Sequence, residues 1–343
     1  MSSELFRVAI VGASTLKGRE VGDVLNDRNF PAQDVKLLDA EDALGQLETV
    51  GDEVSFVQAV HRSQFEKTDF AFFATEAEFT RKNWELAQNA GCTVVDLSYA
   101  LEGEKGASIR APWIEREIRS IPVPDLQPGP VVTAHPAAQV LALVLLRLHA
   151  VSAIRVAAAT VFEPASERGK AGMDELHEQT VNLLSFRELP KGVFDAQIAF
   201  NMVAQYGENA ATSIEAVERR VIGHYRRITE GRLPVPSLML VQAPSFHGHA
   251  FSVYVELESP IATGDLLAAL QGSHIDTVGT GEDSPSNVTA AGQDDILVTA
   301  RQDAQHDRAF WLWAAADNLR IAAMTAVECA EAMVAARPKG KVQ

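Results

Sequence analysis

The sequence predicts an α/β fold: a doubly wound parallel sheet at the N-terminus followed by a central α+β domain. Three observations predict it: early apolar runs alternate with amphipathic stretches, a glycine-bearing turn closes the first run, and the pattern changes near Val151. Phe6–Val11 reads as a strand, Arg19–Asp27 as a helix stopped by Asn29-Phe30-Pro31, and Val35–Leu38 and Phe70–Ala74 as strands. Glu76–Ala90 reads as a helix ended by Gly91, and Thr93–Leu97 as the next strand. From Glu102 to Pro130 periodicity fails and Pro112, Pro122, Pro124, Pro128 and Pro130 accumulate, which predicts a connecting loop. Beyond it the sequence predicts strand Ile154–Phe162, helices Met173–Leu184 and Ser213–Thr229, and strands Leu238–Gln242 and Ala250–Leu257. Asn318–Ala336 is a long helix, apolar on one side, of the kind that returns to the first domain. The expected division is therefore 1–130 with 318–343 against 131–317.

A length of 343 residues suits two domains, each with its own core. With 46 acidic against 30 basic side chains, the net charge of −16 disfavours nucleic acid and anionic membrane surfaces as partners. The start lacks a basic segment followed by an apolar one, and no run of 18 or more apolar residues follows, so a cytoplasmic protein is expected. Cys92 and Cys329 are too few for a disulfide framework or a zinc cluster, and no metal is expected. Both read as buried structural thiols.

Gly12-Ala13-Ser14-Thr15-Leu16-Lys17-Gly18 links the first strand to the first helix, where backbone N–H groups can hold a pyrophosphate. This makes the sheet Rossmann-type and marks Gly12, Ser14, Thr15 and Leu16 as cofactor-binding candidates. After the second strand, Asp39-Ala40-Glu41-Asp42 is acidic. Carboxylates at Asp39 and Asp42 suit a ribose 2′-OH and repel a 2′-phosphate, so of NAD and NADP, NAD is favoured if a dinucleotide binds.

Separated segments together resemble the aspartate-semialdehyde dehydrogenase family. They are Val11–Gly18, Leu37–Gln46, Ala90–Ser98, Gly169–Leu176, Ile198-Ala199-Phe200-Asn201, Gly248-His249-Ala250 and Trp311–Ala323. The resemblance implies a homodimer, with active site and subunit interface in the central domain, Asn318 at the cofactor and Ser98 in the substrate pocket. It also implies thioester chemistry by a cysteine at the helix start after Val131-Val132. Here that start reads Thr133-Ala134-His135-Pro136-Ala137-Ala138-Gln139, placing alanine, Ala137 or Ala138, at the nucleophile position. An alanine methyl forms no thioester, and neither the hydroxyl of Thr133, the imidazole of His135 nor the amide of Gln139 replaces a thiolate.

The departures continue around that position. Leu101-Glu102 stand where the family has a substrate-anion arginine, Glu163 where it has a glutamine, Gln242 where it has the substrate-carboxylate arginine, and Val217 where it has a glutamate. Each change removes a complementary charge or adds a repulsive one. His249 matches the family's acid/base, now vestigial, and Arg220 replaces a phosphate-contacting lysine. Ala40, Asp42 and Gln46 replace the residues that hold a 2′-phosphate.

This set resembles the Usg-type paralogues that lack the catalytic cysteine. The first reading is a catalytically retired, dimeric paralogue, a pseudoenzyme that keeps a dinucleotide fold. The alternatives are an oxidoreductase of altered chemistry using His249, and an active NAD(P)-dependent dehydrogenase of amino-acid biosynthesis with another thiol.

Overall fold

The computed structural model describes residues 5–51, 53–119, 129–279 and 281–336. They fall into two compact units, 1–134 with 322–343 and 135–321. Along the first unit run β1 (Phe6–Val11), α1 (Leu16–Asp27), β2 (Ala32–Asp39), the hairpin β3 (Leu47–Val50) and β4 (Glu53–Phe56), and β5 (Gln58–Ala59). Then come β6 (Phe70–Phe73), α2 (Ala77–Asn89), β7 (Thr93–Asp96), β8 (Ser108–Arg110), α3 (Pro112–Glu117) and β9 (Val131–Thr133).

Among the described residues, seven of these strands form one sheet in the order β5-β2-β1-β6-β7-β9-β8, every pair parallel. The near-continuous apolar strands explain the arrangement, since Phe70 to Phe73 are wholly buried and a parallel strand is covered on both faces. Phe70 packs edge-on against Phe6 and Phe30, with ring centroids 5.8 and 5.9 Å apart.

The segment read as a loop, Glu102–Pro130, departs from expectation. It contains β8, an edge strand pairing with β9, and α3, which starts at Pro112 because proline at the first helical position lacks only an N–H that would have no intrahelical acceptor. Short length hid both elements. Pro122, Pro124 and Pro128 lie outside the described residues.

The second unit holds α4 (Pro136–Val151), β10 (Ile154–Glu163), α5 (Gly169–Leu184), α6 (Ile214–Ile228), β11 (Ser237–Gln242) and β12 (His249–Leu257). They are followed by α7 (Thr263–Leu270), β13 (Ile275–Thr277), α8 (Asn287–Ala290), β14 (Ile296–Gln302) and β15 (Ala309–Ala316). Helix α9 (Asn318–Ala336) begins in this unit and belongs from Ala322 to the first. The described strands form a six-stranded mixed sheet, β11-β10-β12-β15-β14-β13. Strict alternation of buried and partly exposed residues along β12 marks a sheet with one covered face. Helix α4 is apolar nearly all round and buried for most of its length, the signature of a core helix.

Candidate functional site

In the first unit the turn after β1 is shaped for close backbone approach. Gly12 has φ +89°, and a Cβ there would lie 2.8 Å from the Ala74 carbonyl oxygen. A Cβ on Gly18 would lie 2.0 Å from the Gly12 carbonyl oxygen, so only glycine lets α1 start against the turn. Thr15 caps α1, its hydroxyl accepting from the Gly18 amide at 2.9 Å. Leu16 and Lys17 follow in the first turn, whose N–H groups have no acceptor inside an α-helix.

Asp39, at the end of β2, is buried. It accepts from the Ser14 hydroxyl at 2.6 Å and amide at 3.0 Å, and from the Ala40 amide at 2.8 Å. The carboxylate thus ties the turn to the acidic segment after β2. Asp42 is exposed in a short 3-10 turn with Glu41. Ser98, just past β7, donates its hydroxyl to Asp96 at 2.6 Å, and the same oxygen lies 3.0 Å from the Thr80 hydroxyl. Burial pushes the Asp96 carboxyl up from the usual range, against the pull of the Ser98 hydroxyl and the Leu101 and Ser98 amides.

Both thiols lie in this unit. Cys92 is buried in the core beside β7, its Sγ 3.4 Å from the Phe65 carbonyl oxygen, and burial pushes its thiol up to about 11. Cys329 is wholly buried in α9, and burial raises its thiol further still.

In the second unit the helix start that the resemblance marks as the nucleophile position is buried. Ala137 and Ala138 are fully buried in the first turn of α4, and His135 caps the helix, its Nδ1 accepting from the Ala137 amide at 3.2 Å. A neutral imidazole that accepts at Nδ1 carries its proton on Nε2. The His135 amide in turn donates to Nδ1 of His224 on α6, at 2.8 Å.

His249, at the start of β12, is fully buried, its ring centroid 5.9 Å from that of His135. Between them lies Glu167, on the short turn Ala165–Arg168. Its Oε2 is 3.8 Å from His135 Nε2 and its Oε1 3.8 Å from His249 Nε2. Asn318, the first residue of α9, donates to Glu167 Oε1 at 2.8 Å and accepts from the Gly248 amide at 3.1 Å.

Beside this cluster, β10 and β11 end in register at Glu163 and Gln242. Glu163 is fully buried, and its carboxylate lies 2.7 Å from the Arg168 guanidinium. Burial works against the Arg168 charge, but Glu163, with Tyr206 and Glu167, more than offsets it and raises its proton affinity. Tyr206 donates to Gln242 Oε1 at 2.6 Å, and the Gln242 amide donates to the carbonyls of Glu163 and Ala243. Burial, reinforced by Glu163, pushes the Tyr206 phenol up. The reading of Glu163 as a charge added against substrate is corrected here: its charge is answered by Arg168 of the same chain. Val217 is buried on α6, and Arg220 follows one turn on, partly exposed.

The second unit thus brings together His249, Asn318, Glu163 and Gln242, while Ser98 and the turn candidates lie in the first. Sequence reasoning missed Glu167, Arg168, Tyr206 and His224. The run Glu163-Pro164-Ala165-Ser166-Glu167-Arg168, with three charges before a matched segment, was the available signal. Among the described residues no group of three or more His, Cys, Asp or Glu is disposed to hold a metal ion, and no helix is long and apolar enough to cross a membrane.

Comparison with known proteins agrees with this architecture. The semialdehyde dehydrogenase NAD-binding domain model matches residues 7–121 and the semialdehyde dehydrogenase dimerisation domain model matches residues 145–321. A USG-1 protein homolog of Pseudomonas aeruginosa is 33% identical, over 97% of this chain and 98% of its own. Aspartate-semialdehyde dehydrogenase 2 of Vibrio cholerae is 28% identical over 97% and 98%. Among solved structures, a probable aspartate-semialdehyde dehydrogenase from Pseudomonas aeruginosa superposes with a TM-score of 0.83 at 31% identity, covering 96% of this chain and 99% of that one. The Vibrio cholerae aspartate semialdehyde dehydrogenase II complexed with ASA gives 0.84 at 27%, covering 98% and 100%. Matched along both units, the chain belongs to the semialdehyde dehydrogenase family, among whose members it resembles USG-1 homologs and aspartate-semialdehyde dehydrogenases alike.

Proposed function

We propose that this protein is a homodimeric, dinucleotide-binding paralogue of aspartate-semialdehyde dehydrogenase without phosphorylating dehydrogenase activity. One observation carries the reading: buried Ala137 and Ala138 and the capping His135 occupy the helix start where the thiol nucleophile would stand. Neither cysteine substitutes for it. A thiol held in a core with its proton affinity raised supplies little thiolate near neutral pH, and the thiolate is the nucleophile.

Cofactor binding is supported by the turn, where Gly12 and Gly18 let the chain pass close to its own backbone and bring the start of α1 against the end of β1. Gly12, Ser14, Thr15, Leu16 and Lys17 would line it, with the amides of the first turn of α1 as donors. The dinucleotide would supply a hydride acceptor. The exposed carboxylates of Glu41 and Asp42 after β2 disfavour a 2′-phosphate, so calorimetric titration is expected to show NAD bound more tightly than NADP. A clear preference for NADP would overturn this assignment. Dimerisation is supported by the match to a dimerisation domain and by exposed apolar side chains in the second unit, among them Leu184, Phe186, Phe200 and Met202.

The activity itself is tested by oxidation of aspartate semialdehyde with phosphate and NADP or NAD, followed as reduced cofactor. No turnover above the uncatalysed rate is expected. A turnover in the ordinary enzyme range of roughly 1–1000 per second would overturn the proposal.

A further inference from the structure

The turn that carries Glu167 is held rather than hinged. The Ala165 amide donates to the Ser245 carbonyl at 2.8 Å and the Ser166 amide to the Phe246 carbonyl at 3.0 Å, both just before His249. Ser166 and Asn318 bond side chain to side chain, fixing the same turn to the start of α9. The Glu167 carboxylate therefore lies between the two imidazoles by construction. It faces Nε2 of each ring at 3.8 Å and accepts from Asn318 at 2.8 Å, with its side chain 3% exposed.

The donors around that carboxylate make a recognisable set. His135 presents Nε2–H, because its Nδ1 is taken by the Ala137 amide. His249 presents Nε2, and Asn318 presents an amide N–H. One hydrogen bond, from Asn318 on α9, and two imidazole nitrogens at 3.8 Å, from α4 and β12, surround one pair of carboxylate oxygens, a setting that suits a carboxylic acid anion. We propose that His135, His249 and Asn318 form a carboxylate-binding site, which the chain fills with its own Glu167. The site takes small monocarboxylates once Glu167 is removed, and in the natural protein it is closed to them. This inference rests on the reading of His249 as a vestigial acid/base, and it gives that loss a cause besides the missing thiol. With a carboxylate of its own chain facing Nε2, His249 is not presented to a substrate carbonyl.

The test compares the natural protein with Glu167→Ala, using formate as probe, chloride at equal ionic strength as salt control and formamide as neutral control. Formate is expected to raise the melting temperature of Glu167→Ala above its value in chloride, with formamide inert and the natural protein indifferent, since a ligand stabilises only the state it binds. Calorimetry is expected to show formate binding the variant about ten- to a hundredfold more tightly than the natural protein, the range one charge-assisted hydrogen bond supports. A folded variant that responds equally to formate and chloride overturns the proposal, as does equal formate binding by the natural protein.

Should Glu167→Ala not fold, Glu167→Gln keeps the shape and removes the charge. Nuclear magnetic resonance of the ring protons is then expected to show His249 giving up its proton at lower pH than in the natural protein, and unchanged histidine titrations would overturn the proposal. These readouts are separate from the dehydrogenase assay. Turnover by the natural protein would sink the proposed function, whereas formate-blindness of Glu167→Ala would sink only the self-filled site.

Discussion

Arg168→Met is expected to destabilise the protein by about 3–5 kcal/mol, the cost of removing one partner from a buried ion pair. Glu163 is fully buried and lies 2.7 Å from the guanidinium, so the variant leaves its carboxylate in the core without its countercharge. The loss extends beyond the pair, because Arg168 also stands over the Tyr206 ring at 5.6 Å, and Tyr206 holds Gln242. Adding Glu163→Gln is expected to recover much of the stability, since the amide has no charge to compensate. Urea unfolding of the two single variants and the double variant checks both statements. A single-variant loss below about 1 kcal/mol, as for an exposed pair, would show that Glu163 and Arg168 do not depend on each other.

Gly18→Ala is expected to abolish dinucleotide binding and to cost about 1–3 kcal/mol of stability, the range for overpacking a close contact. The added methyl would meet the Gly12 carbonyl oxygen, 2.0 Å away in the present geometry, and that atom belongs to backbone rather than to a side chain that can turn aside. Relief requires α1 to move off the turn, which disturbs the Thr15 cap and the first-turn amides together. Tryptophan or nucleotide fluorescence titration with NADH reads the binding loss. Retained affinity in a folded variant would show that the turn does not contact the dinucleotide.

The parallel sheet was legible because strands covered on both faces are apolar runs, and Phe6–Val11 and Phe70–Phe73 are such runs. The helices between them announced themselves through period and caps. Less visible were β8, three residues long, and the hairpin β3–β4, whose Leu47, Val54 and Phe56 face outward and break the expected inside-outside alternation. In the candidate site, the alanines at the start of α4 and the histidine at the head of β12 could be read directly, because each is a property of one position. The polar network could not. Tyr206 meets Gln242 across 36 residues, and Asn318 meets Glu167 across 151, so their pairing is a consequence of the fold and leaves no local pattern. For the same reason Glu163 looked like an added repulsion when considered by position, whereas in space it is half of an ion pair.

The retired-site account comes to its most direct test in the intact mass of the protein after incubation with aspartate semialdehyde and, in separate samples, NAD and NADP, with phosphate omitted so that a thioester cannot be released by phosphorolysis. The account predicts an unchanged mass, because the helix start presents alanine and both thiols are enclosed in the first unit. An acyl or thiohemiacetal adduct mapped to Cys92 or Cys329 would contradict it, and would place covalent catalysis at a thiol that the fold buries.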